Sequence, residues 1–121
     1  MTEKPRQDLC ARAFAFAETI LNRFTRLAAG GPHHAHMAQQ LFEAATALGA
    51  LLEEGVVANS RRDMAAKYAI ALREARESKY WLKLFSTEPQ WTMELAPLVQ
   101  ESGEFVAMLT VSVRKLRSPP A

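Results

Sequence analysis

The chain reads as all-α, an up-down-up-down antiparallel four-helix bundle, and three observations lead there. Turn signals at Gly30-Gly31-Pro32, Asn59-Ser60 and Ser86-Thr87-Glu88-Pro89 cut the 121 residues into four similar lengths. The segments between them are rich in Ala, Leu, Glu, Lys and Arg, which enter helices at least cost. Each segment also places apolar side chains at steps of three and four, the period of a helix with one buried face. β-Branched residues are few and nowhere alternate over the length a strand needs.

The first helix is expected over roughly 6–29, with Leu9, Ala13, Phe16, Ile20, Phe24 and Leu27 on its buried stripe. Gly30-Gly31-Pro32 ends it and opens the next, since glycine closes helices and proline fits a first turn. The second helix, roughly 33–58, carries Met37, Leu41, Ala45, Leu48, Leu52 and Val56. The third, roughly 61–85, carries Met64, Tyr68, Ala71, Ala75, Leu82 and Phe85, with Ser78 at one step. Its start is the best defined: Ser60 can accept a free amide, and Asp63 stands three residues on as the capping-box partner. The fourth, roughly 93–116, carries Leu95, Leu98, Phe105, Leu109, Val113 and Leu116, with Ser102 in the gap. Proline costs about 3 kcal/mol inside a helix, so Pro97 reads as a first-turn residue and 89–96 as loosely helical. Short connections make successive helices antiparallel, and residues 1–121 form one domain.

A net charge of +2 decides little, but its distribution is uneven. Residues 30–59 hold three acidic side chains and no Lys or Arg, whereas residues 60–86 hold seven basic and three acidic. A second basic cluster closes the chain at Arg114, Lys115 and Arg117. Cys10 is the single cysteine, which excludes an internal disulfide framework and suits a reducing compartment. No apolar run approaches the roughly 20 residues that span a bilayer, and residues 1–5 lack a secretory signal's apolar segment. A cytoplasmic protein without membrane contact is expected.

Catalytic chemistry finds little footing. His33, His34 and His36 cluster beside a turn, but a closed metal site needs four ligands and Cys10 is far away in sequence. They read as solvated histidines at a helix start. No Glu-x-x-His pair exists for a di-iron bundle, and no glycine-rich loop exists to cradle phosphate. Glu53, Glu54, Glu74 and Glu77 are the remaining acidic candidates. Helical spacing offers Asp63 a partner in Lys67 and Glu77 a partner in Arg73, without catalysis. No enzyme, cofactor, metal or small-molecule substrate is expected.

Two features point to partners instead. Arg61, Arg62, Lys67, Arg76, Lys79 and Lys83 recur along the third helix and could neutralise phosphates of RNA or DNA. Ile70, Trp81 and Leu84 lie off its core stripe, and a bundle this small has little interior for both Trp81 and Trp91. Large apolar side chains left near a surface mark an interface. With Arg73, Glu74 and Glu77 interleaved, this second face is expected to join identical copies into a cyclic homo-oligomer.

From about Asp8 to Leu116 the chain resembles the bacterial four helix bundle protein family, whose founders are encoded by 23S ribosomal RNA intervening sequences. Its members carry a pattern like Ala-Asn-Ile-Ala-Glu-Gly-x-x-Arg-x-Ser-x-x-Asp-Phe before the third helix. Here that stretch is Ala50 to Met64, in which Glu54, Gly55, Ser60 and Asp63 keep the pattern. Leu51 replaces the asparagine and Ala58 the arginine. Glu77 matches a glutamate common in the third helix. The resemblance implies the same bundle, often built into a ring-shaped homopentamer. A related group, the accessory proteins of diversity-generating retroelements, binds a reverse transcriptase and nucleic acid. The expected role is a non-enzymatic homo-oligomeric scaffold; the alternative is a nucleic-acid-binding accessory protein acting through the basic third helix.

Overall fold

The computed structural model describes residues 5–119, with side chains described from residue 9 onward. Four helices follow one another: α1 (Pro5–Ala28), α2 (Pro32–Val56), α3 (Arg61–Phe85) and α4 (Pro89–Arg117). No strand occurs among the described residues. No helix among them is long and apolar enough to cross a membrane. Each helix packs on its successor, and α4 returns beside α1 to close the bundle.

The turns follow from local chemistry. Gly31 takes φ 138°, a conformation side chains resist, and lets Pro32 enter the first position of α2. Ser60 Oγ accepts the Asp63 amide at 3.0 Å in extended backbone, which caps α3. Between α3 and α4 the amides of Ser86, Thr87 and Glu88 donate back to the carbonyls of Leu82, Leu84 and Phe85.

The expected stripes meet in one core. Leu48, Leu52, Phe105 and Leu109 are all at 0 % exposure. Phe16 of α1 meets Phe105 of α4 edge to face, centroids 5.4 Å apart, a geometry favoured by the ring quadrupoles. Ser78 and Ser102 are also fully buried, and each satisfies its hydroxyl on its own helix, donating to Glu74 and Val99 carbonyls.

The fourth helix departs from expectation. It opens at Pro89, four residues early, so Pro97 lies in its interior and not in its first turn. Pro97 offers no N–H to the Met93 carbonyl, but both residues face solvent, where water can hydrate that oxygen. The early turns also carry a core residue. Trp91 is buried at 5 % exposure, with the Arg26 guanidinium 4.8 Å over its ring. The interior therefore does hold this tryptophan, because α4 begins soon enough to carry it inward.

The seam between α1 and α4 is stitched by charge. Arg12 donates to Glu101 (2.6 Å) and Glu104 (2.8 Å), while Arg23 and Arg26 meet Glu94 at 2.6 and 2.8 Å. Arg26 holds the Glu94 carboxyl below its usual range, chiefly by hydrogen bonding. Gln100 and then Arg12 lower Glu104 in the same way.

Two predictions follow from these contacts. A Cβ at Gly55 would stand 2.4 Å from Tyr68 Cε1, inside a packed interior, so Gly55 is where α2 makes room for that ring. Gly55→Ala should destabilise the fold by about 1–3 kcal/mol through overpacking, read as a lower urea midpoint; an unchanged midpoint would refute the clash. Carboxyls with depressed folded pKa values add stability above their unfolded value and lose it as pH falls through the folded one. The melting temperature should therefore decline as pH drops below about 4.5, and less steeply in Glu94→Gln. A curve identical in both proteins would exclude Glu94 as a contributor.

Candidate interaction surface

α3 packs between α2 and α4, so its outer residues divide between two sides. On the side toward α2 lie Lys67, Glu74, Glu77 and Trp81. Lys67 Nζ sits 3.5 Å from Glu54 on α2, not on Asp63 as its spacing suggested. Trp81 is half-buried, its ring meeting His36 of α2 and Tyr80 edge to face. Its indole N–H is buried without an acceptor among the described residues. Burial first, and the neighbouring Glu77 second, push the Glu74 carboxyl up, with Arg73 opposing in part.

Ile70 continues this stripe, and Leu84 stands one step of three beyond Trp81. Ile70 is 37 % and Leu84 38 % exposed, so each keeps a fraction of its apolar surface in water. The expected interface residues Ile70, Glu74, Glu77, Trp81 and Leu84 thus follow one another at steps of three and four along one stripe of α3, with Arg73 beside it.

The side toward α4 is basic. Arg76, Lys79, Lys83, Leu84 and Thr87 surround Tyr80, whose ring is 60 % exposed. Lys79 Nζ lies 3.8 Å from the point where a Cβ of Gly103 would stand, so the absent side chain leaves room for the ammonium. Arg76, Lys79 and Lys83 make no ion pair among the described residues. The other expected phosphate contacts lie apart from these three. Arg61 donates to the carbonyls of Leu116 (3.0 Å) and Lys115 (2.6 Å), which caps the end of α4. Arg62 lies beside Arg117 at that same end, and Lys67 is on the opposite side of the helix. The six cations thus do not form one surface; Arg76, Lys79 and Lys83 do.

The histidines separate. His34 Nε2 meets both carboxylate oxygens of Glu88 at 2.7 and 2.9 Å, tying the start of α2 to the α3–α4 turn. Its ring covers Gly30, whose Cβ would come within 2.7 Å of His34 Cγ. His36 packs on Trp81 and His33 is exposed. No three metal-ligating side chains converge among the described residues. Burial, then Glu53, pushes the Cys10 thiol up, away from the thiolate a nucleophile requires.

Larger apolar exposures lie where the periodic reading did not look. Phe14 is 69 % and Leu21 56 % exposed on α1, and Met93 is 88 % and Val111 46 % exposed on α4. Phe14 borders a groove between α1 and α2 with Ala17, Thr46, Gly49, Ala50 and Glu53. Phe14 and Leu21 repeat at seven residues, two turns of a helix, just outside the buried stripe. That spacing was the available signal.

The comparisons with known proteins bear on this geometry. No curated protein matches the chain. A crystal structure of a protein with unknown function from the S23 ribosomal protein family of Bacteroides thetaiotaomicron is similar, with a TM-score of 0.79 and 28 % identity. The match covers 90 % of this chain and 97 % of that one. The model of the 23S rRNA-intervening sequence protein family matches residues 6–111, nearly the whole bundle. The chain belongs to the 23S rRNA-intervening sequence protein family.

Proposed function

We propose that this protein is a non-enzymatic, cytoplasmic scaffold that works as a cyclic homo-oligomer. One observation carries the reading: the core is filled, yet bulky apolar side chains remain in water on α1, α3 and α4. Burying a large apolar side chain is worth about 1.5–3 kcal/mol relative to leaving it exposed. Identical copies arranged around a closed axis cover such side chains on every subunit at once. Ile70, Tyr80 and Leu84 form the part of this surface that α3 presents. The family resemblance favours five copies. Size-exclusion chromatography with light scattering should give a multiple of the 13.5 kDa chain mass. The pair Ile70→Glu and Leu84→Glu should shift it toward the monomer with helicity retained. A wild-type monomer at micromolar concentration would overturn the proposal.

A second reading, nucleic-acid binding, is favoured by one specific arrangement. Arg76, Lys79 and Lys83 make no ion pair among the described residues and flank an exposed tyrosine, a combination suited to phosphates beside an unpaired base. The partner would be RNA or DNA, with a reverse transcriptase as a protein partner by resemblance. Fluorescence anisotropy with a labelled single-stranded oligonucleotide should show salt-sensitive binding that the triple change of these cations to Gln weakens strongly. Binding indifferent to both would refute the reading.

A further inference from the structure

Two sides of the bundle differ in a way that goes beyond simple stickiness. The helices succeed one another around the bundle, so the α1–α2 side and the α3–α4 side are opposite edges. Both edges carry an apolar groove. On the first edge, Phe14 and Ala17 of α1 face Thr46, Gly49 and Ala50 of α2, and Leu21 extends the row two turns beyond Phe14. On the second, Ala96, Val99, Gly103 and Ala107 of α4 leave a shallow channel beside Lys79. Tyr80 and Leu84 line an adjoining hollow on α3, which shares Lys79 with the channel, and Met93 and Val111 are exposed on α4.

The charges around the two grooves have opposite signs. α2 contains no Lys or Arg at all, and Glu43 and Glu53 lie on its outer surface beside Thr46 and Ala50. Glu18 of α1 stands one turn from Phe14 and is exposed. The arginines of α1 among the described side chains, Arg12, Arg23 and Arg26, are turned to α4 and consumed by Glu94, Glu101 and Glu104. The first groove is therefore rimmed by carboxylates alone among the described residues. The second is rimmed by Arg76, Lys79 and Lys83, which have no ion pair among the described residues, and by Glu104, which Arg12 and Gln100 already engage.

We infer that the α3–α4 groove of one copy docks on the α1–α2 groove of the next, a head-to-tail contact between copies of this chain. This rests on the self-association proposed above and specifies its contact. Two copies of the α1–α2 edge would oppose like charges, as would two copies of the α3–α4 edge, so a two-fold contact through either edge is disfavoured. Apposing unlike edges covers Phe14 and Leu21 with the same contact that covers Tyr80 and Leu84, and lets free cations meet free carboxylates. A head-to-tail contact repeats from copy to copy and closes into a ring when its rotation divides the full turn.

The test mixes two blocked proteins. One carries Phe14→Lys and Leu21→Lys, the other Tyr80→Glu and Met93→Glu; all four positions are more than half exposed, so both chains should keep native helicity. Each alone should run as a monomer, because one of its two edges is blocked. Their mixture should associate, since the intact α3–α4 edge of the first fits the intact α1–α2 edge of the second. A second pair tests charge alone. Glu43→Lys with Glu53→Lys makes both edges basic, and Lys79→Glu with Lys83→Glu makes both acidic; each should dissociate alone and associate when mixed. Either blocked protein forming a dimer by itself, or a mixture that stays monomeric, would overturn the head-to-tail contact while wild-type oligomers upheld the scaffold reading. A monomeric wild type would overturn both.

Discussion

Closing a four-helix bundle requires joining its first and last helices, the one neighbouring pair without a short connecting turn. Here the joining falls to arginines. Arg12 forks over Glu101 and Glu104, while Arg23 and Arg26 converge on Glu94 farther along. Between them Phe16 and Phe105 seal the interior edge to face. Arginine suits the task because its planar fork meets carboxylates with two donors while its long stem lies along apolar surface. Arg26 does both at once, pairing with Glu94 and covering the ring of Trp91.

That arrangement has effects across the molecule. Turning Arg12, Arg23 and Arg26 toward α4 leaves the far side of α1 without positive charge among the described residues, next to a helix that has no Lys or Arg. Meanwhile the α4 carboxylates Glu94, Glu101 and Glu104 are engaged by the arginines of α1, so Arg76, Lys79 and Lys83 on the neighbouring side of α3 make no ion pair among the described residues. The bundle thereby acquires a charge polarity that a net charge of +2 conceals. Local pairing, not composition, sets the field that a partner would meet.

Much of this architecture was legible in the sequence, and the reasons are local. Gly31 and Pro32 act through their own backbone and Ser60 through a hydroxyl that reaches three residues on, so the turns could be placed from residue type. The stripes depend only on helical period, and their larger members reach the core. What escaped depends on tertiary partners. Pro97 looked like a helix start because the rule is local, whereas the demand for Trp91 in the core comes from α1 and α3. Lys67 chose Glu54 on another helix over Asp63 on its own. Arg61 was countable as a cation, but only the end of α4 shows it spent on carbonyls. For the interaction surface, Leu84 and Ile70 could be found as off-stripe residues of α3. Phe14 and Leu21 could not be ranked beside them without knowing that α2 leaves their edge uncovered.

The buried serines have a consequence for how α3 and α4 are aligned along their axes. Ser78 and Ser102 sit at full burial, but each donates within its own helix, so neither bond crosses between them. Around them the core residues are mainly alanine, leucine and phenylalanine, whose interdigitation sets how the helices fit. Axial alignment is pinned as well at the two extremities. At one, the Ser86–Glu88 turn fixes where α4 begins; at the other, Arg61 grips the last carbonyls of α4. One helical turn of slippage, about 5.4 Å, would break both clamps and unseat the interdigitated side chains of the core at once.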